Sequence, residues 1–462
     1  MPETNDNVRE KIDPNKNVII FPAYGVGYSE LNAFIHSMDQ SGLLHRILFI
    51  FPPDMADIFQ SRVIHRITDA FETLPELIAK LESWITNALP GTAISGIIGI
   101  DEEEQFTLSR EIARRFHLDF YNDRTCSLAS NKFLMKRMFE RKQVPTGRFL
   151  LLSPDAYDET AIHDIGFPNI LKVLSGNGSA YLFKNDTMDQ LQAHMNYLKT
   201  RVRALTADNR FRVQRVDWEG EPLILDPKHQ FLLEAYIPGE EFSCDFMKQG
   251  TDLQIIRVVK KFKGPYLGYF NGYLLLTEAD LQANGIDHSY LTEICRRISD
   301  AFSIHAGVCM VDFKIHQGKL NVIEASIRPG LSAFNHLMAE IYGYTSLTVM
   351  ARQKLGLKTD IRFPKETGAI IYLYCAETEI AFSMDVSALE PFKQEYKILH
   401  IHTFEESSHG SGPIADPRCD RSPLLRGYVL LKNPDAAQLP ELADRLNASV
   451  TYIPTPNPPS RE

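Results

Sequence analysis

The chain has 462 residues, of which 44% are hydrophobic and 23% charged, and this composition excludes a largely disordered chain. One hydrophobic core does not grow to that size, so we expect several globular domains. The formal net charge of −10 argues against a general binder of nucleic-acid backbones, which needs a basic surface.

The sequence shows no pattern typical of an export signal or a membrane span. Its first 17 residues are polar, and no apolar run reaches the length that crosses a bilayer. The cysteines form neither a Cys-x-x-Cys pair nor a cluster at zinc spacing; they stand at positions 126, 244, 295, 309, 375 and 419. We therefore expect a soluble cytoplasmic protein with reduced thiols and no nucleic-acid or membrane partner.

Short buried-strand patterns recur near the N-terminus, at 17–22, 47–52 and 94–100. Between the second and the third, apolar residues follow the helical spacing i, i+3, i+4, i+7 from Leu74. Strands that alternate with helices predict a parallel sheet with helices on both faces.

A pair of glycines, Gly25 and Gly27, follows the first strand. A dinucleotide fingerprint would need a third glycine where this chain has Glu30. The pair therefore predicts a tight turn, which could contact a substrate, rather than a dinucleotide site.

The pattern changes at Ser130, which we predict to cap a helix that stops before Pro145. A strand at 170–174, a glycine turn, a strand at 180–183 and a helix from Met188 follow. This part of the chain is a second module.

Arginines are frequent between 201 and 215, in a segment that extends to residue 230. Because the surroundings are acidic and Phe211 is the only aromatic residue between these arginines, a solvated insertion is favoured over an RNA site. Consecutive strands are predicted at 231–260 and an amphipathic helix at 291–302, and strand-like runs mix with a polar loop from about residue 357 onward.

Two acids stand inside an apolar hairpin predicted between residues 307 and 330. Directly opposed residues of an antiparallel pair share a face. Asp312 therefore joins Glu324 only if the loop has an odd number of residues, and a three-residue loop at 316–318 fits. Alternation on the second strand puts four residues on one face: Leu320, Val322, Glu324 and Ser326.

Paired carboxylates suit a hard cation, because Mg²⁺ takes oxygen ligands and is usually held by one or two carboxylates plus substrate phosphates. The alternative is a salt bridge between Asp312 and Lys314 at the rim of the sheet. Pro329 keeps Arg328 extended and so on the Glu324 face, where a guanidinium can bind phosphate or carboxylate.

Lys172 lies inside an apolar strand, shortly before the loop from Ser175 to Ser179. A buried ammonium is costly unless an anion meets it, and the backbone N–H groups of such a loop suit phosphate oxygens. The segment is not a Walker A loop, and glycine turns of this kind are also frequent in plain hairpins.

A strand from Leu233 leads through a Pro-Gly turn to Glu240 and Glu241. It can present its backbone to an adenine edge while an acid binds ribose hydroxyls, but either acid is equally compatible with a surface position. The chain thus has, in order, lysines, a glycine loop, this acidic segment, the acid pair and Arg-Pro-Gly.

This order of motifs resembles the ATP-grasp superfamily over roughly residues 95–356. The resemblance implies an α/β multidomain protein with the ATP-grasp fold, flanked by an N-terminal Rossmann-like domain and a small C-terminal α+β domain. The implied bounds are 1–120, 121–356 and 357–462, with a lid subdomain at about 160–232 that includes the loop at 175–179.

The resemblance also implies which residues bind ATP and metal. Those near the phosphates are Lys132, Lys172, Ser175, Gly176, Gly178 and Ser179. Those near the nucleoside are Glu234 at the adenine amino group, Ala235 and Ile237 through their backbone, and Glu241 at the ribose. Those that bind Mg²⁺, or Mn²⁺ in its place, are Asp312, Glu324 and Ser326.

Ser326 departs from the family, which commonly has asparagine there as a further Mg²⁺ ligand. A serine hydroxyl is a shorter and weaker ligand, so a second metal ion would be held loosely or through water. The Arg-Pro-Gly ending and the flanking domains look most like the L-amino acid ligases that make dipeptides and related amides. In such an enzyme Arg328, and Lys260 or Lys261, would stabilise charge on the transferred group.

The activity we expect is ATP-dependent ligation of a small carboxylate, an amino acid above all, to an amine through an acyl phosphate. Two other functions stay open: a nucleotide-binding regulator with a degenerate site, suggested by Ser326, and an ATP-grasp enzyme of another chemistry, such as a carboxylase or purine-pathway ligase. A carboxylase would be expected to carry a biotin-attachment module, and no Ala-Met-Lys-Met-like tetrapeptide is present. A homodimer is the default assembly.

Overall fold

The computed structural model describes most of the chain and shows a mixed α/β fold. The described residues are 17–24, 26–51, 65–68, 73–100, 107–176, 180–205, 211–264, 268–331, 333–374, 382–404 and 425–454. Within these ranges no helix has the length and apolar character needed to cross a membrane. The cysteines described here are buried thiols, at positions 126, 244, 295 and 309.

The N-terminal module is a parallel sheet covered by helices on both faces, which confirms the predicted arrangement. Its elements are β1 (Val18–Pro22), α1 (Tyr28–Gln40), β2 (Ile47–Phe51), β3 (His65–Thr68), α2 (Leu74–Ala88), β4 (Ile94–Ile97) and α3 (Thr107–Arg115), and the strands lie in the order β3-β2-β1-β4. Ile19 packs with Phe34 of α1, whereas Ile20 packs with Leu77 of α2 on the other face. A parallel sheet needs both faces covered in this way.

The turn after β1 leads directly into α1. Gly27 is the N-cap of α1, and its N–H donates to Oε2 of Glu30 at 3.4 Å. This contact is the half of a capping box that an acid at the third helical position supplies; glycine has no side chain to supply the other half. Gly25 lies outside the described residues. Glu30, which stands where a dinucleotide fingerprint would need glycine, is 4% exposed.

Two helices, α4 (Asp123–Ser130) and α5 (Lys132–Arg141), connect the N-terminal module to the rest of the chain. The prediction that Ser130 caps the second helix is wrong, because Ser130 ends α4 and its hydroxyl donates to the carbonyl of Ser127. The cap is Asn131, whose Oδ1 accepts hydrogen bonds from the N–H groups of Phe133 and Leu134. This is the usual role of asparagine at an N-cap.

A second sheet is antiparallel and has one face covered by helices. Its elements are β5 (Phe149–Leu152), α6 (Glu159–Ile165), β6 (Asn169–Val173), β7 (Leu182–Asn185), α7 (Met188–Arg203), the hairpin strands β8 (Gln214–Trp218) and β9 (Glu221–Leu225), and β10 (Phe231–Ala235). The sheet has the order β5-β10-β6-β7. Leu171 and Leu233 pack with Leu191 of α7 on the covered face. Lys172 and Glu234 lie on the opposite face, since neighbouring residues of a strand alternate.

The arginine-rich segment includes the β8–β9 hairpin, which packs on α5. Oε1 of Gln214 accepts from Nδ2 of Asn131 at 2.7 Å, and the guanidinium of Arg137 lies 4.9 Å from the ring centre of Trp218. Arg215 is exposed. The hairpin is therefore attached to the helix that begins the second module, with an arginine of the segment facing solvent.

A third sheet carries the predicted acid hairpin. Its first part comprises β11 (Glu240–Gln249), β12 (Asp252–Lys263), β13 (Phe270–Leu275), α8 (Glu278–Ala283), α9 (His288–Phe302), β14 (Ala306–His316), β15 (Lys319–Ser326), α10 (Phe334–Tyr342) and α11 (Ser346–Lys354). Cys244 and Val311 pack with Ile294 of α9 on one face. The opposite face bears the polar residues considered below.

The C-terminal segment continues this third sheet. It comprises β16 (Gly368–Tyr374), β17 (Phe382–Asp385), α12 (Phe392–Glu395), β18 (Ile398–Thr403), β19 (Leu425–Lys432), α13 (Leu439–Ser449) and β20 (Thr451–Pro454). The sheet has eight strands in the order β15-β14-β11-β12-β13-β16-β19-β18. It thus runs across the domain boundary predicted at residue 357, and C-terminal residues share a face with the acid hairpin.

Candidate nucleotide and metal site

The hairpin that carries Asp312 and Glu324 turns more tightly than predicted. His316 pairs with Lys319, so the loop is the dipeptide 317–318, with φ values of 50° and 73°. Positive φ at both positions is typical of the two-residue type I′ turn. The predicted three-residue loop is therefore wrong.

A β-bulge brings the two acids face to face. A two-residue loop alone would place Asp312 opposite Ile323. The side chains of Asp312 and Glu324 would then lie on opposite faces of the sheet. The register instead shifts between Asp312 and Phe313, so that Asp312 pairs with Glu324 and Phe313 pairs with Val322. A bulge inserts one extra residue on one strand and so restores the pairing that the loop would have lost.

The same bulge divides the face predicted for β15. Leu320 and Val322 pack in the apolar core, whereas Glu324 lies with Asp312 on the opposite face. Ser326 is two residues further along, is 8% exposed and stays on the Glu324 side. The prediction that one face carries all four residues from 320 to 326 is wrong, because the extra residue at the bulge turns the following side chains to the other face.

Asp312 is held by a lysine of β12. Its Oδ2 accepts from Nζ of Lys261 at 2.7 Å, and the same Nζ donates to Oε1 of Glu241 at 3.0 Å. Burial raises the pKa of Asp312, as do the neighbouring carboxylates of Glu324 and Glu241, although Lys261 opposes them. Burial would lower the pKa of Lys261, but its two carboxylate partners raise it above its ordinary value.

The oxygen atoms around Asp312 fit a divalent cation. Oδ1 of Asp312 is buried without a hydrogen-bond partner among the described residues, and so is Oγ of Ser243, which pairs with Asp312 on β11. Leaving such atoms unsatisfied is costly. The described residues contain no cluster of three His, Cys, Asp or Glu side chains placed to hold a metal. Mg²⁺ commonly takes only one or two carboxylates and completes its shell with phosphates and water.

Glu324 binds the first residue of α5. Its Oε2 lies 3.0 Å from Nζ of Lys132, which also donates to the carbonyl of Gly176 at 2.9 Å. The backbone N–H of Lys132 donates to the carbonyl of Leu174. Burial would raise the pKa of Glu324, but Lys132 and Lys172 outweigh it and lower the pKa to about 2. The acid hairpin, α5 and the glycine loop therefore meet at one ionised carboxylate.

Glu234 binds two lysines at once. Its Oε2 contacts Nζ of Lys172, and its Oε1 lies 2.8 Å from Nζ of Lys136. Burial would raise the pKa of Glu234, but the two ammonium groups lower it to about 2. Burial lowers the pKa of Lys136, which also donates to Oγ1 of Thr146 at 2.6 Å and to the carbonyl of Val322 at 3.2 Å.

This cluster shows what Glu234 contacts within the protein. Its carboxylate binds Lys172 and Lys136 and so holds both ammonium groups on the face of the second sheet that the helices leave uncovered. The contact with the adenine amino group that the resemblance implies stays a prediction. Sequence reasoning did not single out Lys136, although a lysine one turn after Lys132 among the buried residues of α5 was a usable signal.

The residues expected near the nucleoside lie where the chain runs from the second sheet into the third. Ala235 ends β10, and its N–H donates to the carbonyl of Arg148 at 2.9 Å. The carbonyl of Ile237 accepts from Nζ of Lys314 at 3.1 Å, and the same Nζ lies 3.7 Å from Oε2 of Glu241. Lys314 thus bonds Ile237, and the alternative of a rim salt bridge between Lys314 and Asp312 is not what the structure shows; Asp312 pairs with Lys261 instead.

The glycine loop is described as far as Gly176. Ser175 is 4% exposed, and its Oγ has no hydrogen-bond partner within the described ranges. Gly176 has φ 138°, a conformation that side chains disfavour. Gly178 and Ser179 lie outside the described residues. A buried hydroxyl at the entrance of the loop suits a ligand oxygen.

The neighbours Lys260 and Lys261 point to opposite faces of β12. Nζ of Lys260 lies 3.0 Å from Oδ1 of Asn284 and 2.6 Å from Oε1 of Glu240, whereas Lys261 bonds Asp312. The structure therefore removes Lys260 from the candidate catalytic residues and keeps Lys261.

The segment that begins at Arg328 is bonded, through Gly330, to a buried ion pair that sequence reasoning missed. Arg328 is 9% exposed, and its Nη1 donates to the carbonyl of Pro329. The N–H of Gly330 donates to Oδ1 of Asp245 at 2.9 Å, and Asp245 accepts two hydrogen bonds from Arg257, at 2.9 and 2.8 Å. Asp245 and Arg257 are both fully buried. An acid in the middle of an apolar strand was the signal available for this anchor.

Comparisons with known proteins agree with this architecture. Residues 165–331 match the family model for the ATP-grasp domain. An L-amino acid ligase from Bacillus licheniformis has a similar structure, with a TM-score of 0.66, 16% identity, and coverage of 96% of this chain and 100% of the other. No curated protein sequence matches the chain.

Two other solved structures resemble this chain to a similar degree. Phosphoribosylglycinamide synthetase from Anaerococcus prevotii has a TM-score of 0.60 at 13% identity and covers 96% of this chain and 100% of its own. Biotin carboxylase from Campylobacter jejuni has a TM-score of 0.63 at 13% identity, with 94% and 92% covered. At such identities the similarity shows the fold alone.

The fold and the matched domain together define the class of protein. This chain contains an ATP-grasp domain and has the multidomain α/β ATP-grasp fold. The matched residues extend from the end of α6 to the residue after Gly330, so they include Lys172, Glu234 and the acid hairpin.

Proposed function

We propose that this protein is an ATP- and Mg²⁺-dependent carboxylate–amine ligase. It joins two small substrates, amino acids above all, by an amide or peptide bond through an acyl phosphate and releases ADP and phosphate. The observation that carries the proposal is the convergence of three chain segments on one polar surface. Lys132 and Lys172 arrive from α5 and the second sheet, and they meet the carboxylate face formed by Asp312 and Glu324.

The positive residues of this surface suit the ATP phosphates. Nζ of Lys132 lies between the Glu324 carboxylate and the carbonyl of Gly176, so it stands at the start of the glycine loop. Lys172 is 4% exposed and is fixed by Glu234. Ammonium groups held in place before ATP binds neutralise phosphate charge without further reorganisation.

Asp312 and Glu324 would hold Mg²⁺, with Ser243 and Ser326 close to them. The ion would neutralise charge on the phosphates, which supplies several kcal/mol of stabilisation to phosphoryl transfer. Lys261 now occupies Oδ2 of Asp312, whereas Oδ1 has no partner in the described part of the chain. The chain therefore keeps one oxygen of this acid available to a ligand.

Arg328 and Lys261 act on the phosphoryl group that passes from ATP to the substrate. The substrate carboxylate attacks the γ-phosphate in line, and positioning with charge neutralisation supplies most of the rate. Arg328 and Lys261 stabilise charge on the transferred phosphoryl group. The second sheet, which carries the glycine loop, excludes water from the acyl phosphate, since exposure to solvent would hydrolyse it.

A substrate screen tests the proposal. The protein is incubated with ATP, MgCl₂ and pairs of L-amino acids and small carboxylates, phosphate release is followed, and products are identified by mass spectrometry. An amide product that appears with stoichiometric ADP supports the proposal. ATP binding without amine-dependent ADP release would favour the nucleotide-binding regulator, and ADP release that depends on bicarbonate would favour a carboxylase.

A further inference from the structure

Three parts of the chain meet at Glu30. Nδ2 of Asn335, in the first turn of α10, donates to Oε1 of Glu30 at 3.5 Å and to the carbonyl of Gly330 at 3.4 Å. Ser29, the neighbour of Glu30, hydrogen-bonds Tyr428 of β19. The N-terminal module, the ATP-grasp domain and the C-terminal strands therefore contribute to one buried corner.

This corner is rich in hydrogen-bond acceptors. Asn335 has no exposed surface, and its Oδ1 has no hydrogen-bond partner among the described residues. The Glu30 carboxylate and the Gly330 carbonyl lie on the Nδ2 side of the same amide, at distances that are long for N–H···O hydrogen bonds. The Asn335 oxygen is a place for an N–H donor beside these acceptors, and an amino group offers several N–H donors.

The imidazole of His336, the residue after Asn335, carries no charge. Nδ1 of His336 lies 3.0 Å from the hydroxyl of Tyr428. Burial, with His400 and His402 as neighbours, lowers the pKa of His336 to about 4, so the ring is neutral at physiological pH.

We propose that Glu30 and Asn335 bind the amino group of the substrate that attacks the acyl phosphate, and that Glu30 takes up the proton this amine releases. The inference rests on the proposed function and deepens it. Gly330 is two residues after Arg328, so the corner adjoins the residue assigned to the transferred group.

The chemical step balances within this arrangement. The nitrogen lone pair forms the new C–N bond, the bond from the acyl carbon to the phosphate oxygen breaks, and phosphate leaves with that electron pair. A primary amine is protonated in neutral solution, and the Glu30 carboxylate takes its first proton, which frees the lone pair for attack. The second proton, which the nitrogen loses once the C–N bond has formed, leaves with the departing phosphate.

The test variant is Glu30→Gln, which removes the charge but keeps the helix start. Glutamine can still accept the Gly27 N–H, as it does in ordinary capping boxes. The matched control is Asp39→Asn, which makes the same charge change at an exposed position of the same helix.

Each protein is assayed with ATP, MgCl₂ and a mixture of the twenty L-amino acids, with and without hydroxylamine. Hydroxylamine is small and largely unprotonated at neutral pH, so it attacks an acyl phosphate without help from a base and yields a hydroxamate. The hydroxamate reports acyl phosphate formation, and amide measured by mass spectrometry reports the complete reaction.

We expect Glu30→Gln to form hydroxamate at the rate of the unmodified protein and to form amide about 100-fold or more slowly, since general base catalysis contributes about 10²–10⁴-fold. Asp39→Asn should match the unmodified protein in both assays. Amide formation at an undiminished rate in Glu30→Gln would overturn the inference, and so would equal loss of hydroxamate and amide. If the unmodified protein yields neither product, the proposed function itself fails and the inference with it.

A second variant separates binding from proton transfer. Asn335→Ala removes one hydrogen bond to a charged amine, which is worth about 1.5–3 kcal/mol, so the KM for the amine should rise about 10- to 100-fold. The rate of hydroxamate formation should stay the same. An unchanged KM for the amine would exclude Asn335 from the site.

Discussion

The two acid–lysine clusters of the site use the same residue types in different ways. In the second sheet, Glu234 binds Lys136 and Lys172, and each of these side chains is at least nine-tenths buried. In the third sheet, Asp312 uses one oxygen for Lys261 and keeps the other without a partner in the described residues, and the side chain of Glu324 is 33% exposed. The first cluster is closed, and the second is open to a ligand.

This difference separates positioning from binding. Glu234 is a permanent counterion, because without it two ammonium groups would be buried with no adjacent anion. Asp312 and Glu324 are held by lysines through contacts that a cation and phosphates can replace or extend. Substitutions in the closed cluster should therefore act on stability, and substitutions in the open cluster should act on turnover.

The largest expected effect is that of Glu324→Gln in the open cluster. Metal-ion stabilisation of phosphoryl transfer is worth several kcal/mol, so ADP release should fall by about 10³-fold or more. The thermal midpoint should change little, because Lys132 keeps its contact with the Gly176 carbonyl. The control is Glu293→Gln on the surface of α9. Normal ADP release by Glu324→Gln would remove the metal assignment.

The closed cluster should show the reverse result in Glu234→Gln. Removing one partner of a buried ion pair costs about 3–5 kcal/mol, so the free energy of unfolding measured with denaturant should fall by about that amount. Glu219→Gln removes an exposed partner of Arg141 and should have almost no effect. If Glu234→Gln were as stable as the unmodified protein, the carboxylate would not be the anchor described here.

The closed cluster also predicts how stability depends on pH. The pKa of Glu234 is about 2 in the folded protein, compared with an ordinary value of 4.5, so the folded state binds this proton less tightly than the unfolded chain does. This contribution to stability is therefore complete above pH 4.5 and is lost as the pH falls toward 2. Between these pH values, the free energy of unfolding measured with denaturant should change more steeply with pH for the unmodified protein than for Glu234→Gln. Equal slopes would contradict the assignment.

A smaller effect is expected for Lys172→Ala, which acts at the border of the two clusters. A hydrogen bond to a charged group is worth about 1.5–3 kcal/mol, so ATP affinity should fall about 10- to 100-fold. Glu234 keeps Lys136 as a partner in this variant, which limits the loss of stability. Calorimetric titration with ATP measures the affinity, and the control is Lys199→Ala, at a partly exposed lysine that pairs with Asp155. Unchanged affinity would refute the phosphate contact.

Local patterns in the sequence predicted much of this arrangement, and the parts that were wrong depend on register. The strands of the N-terminal sheet follow from short patterns, and so does the assignment of Asp312 and Glu324 to one hairpin. The bulge at Ile323, which brings the two acids opposite each other, does not, because nothing in its residue type marks it. Asp312 and Glu324 therefore face each other for a different reason from the one predicted.

Long-range contacts are the other part that a single sequence does not reveal. The pairing of β16 with β13 carries the third sheet across residue 357, and it depends on contacts between distant segments. Lys136 of α5 meets Glu234 of β10, far along the chain, for the same reason. Local periodicity describes each element but not the partner that buries it.

The smallest expected effect is that of Lys260→Ala, although the neighbouring Lys261 is the same residue type in the same strand. Lys260 lies on the face away from the acids and pairs with the exposed Glu240, so Lys260→Ala should change turnover by no more than about twofold. Lys261→Ala removes the partner shared by Asp312 and Glu241 and a donor to the transferred group, and should lower kcat about 10²–10³-fold. Steady-state ADP release measured for both variants decides the matter. Equal losses of ADP release would mean that Lys260 and Lys261 contribute alike, although they lie on opposite faces of β12.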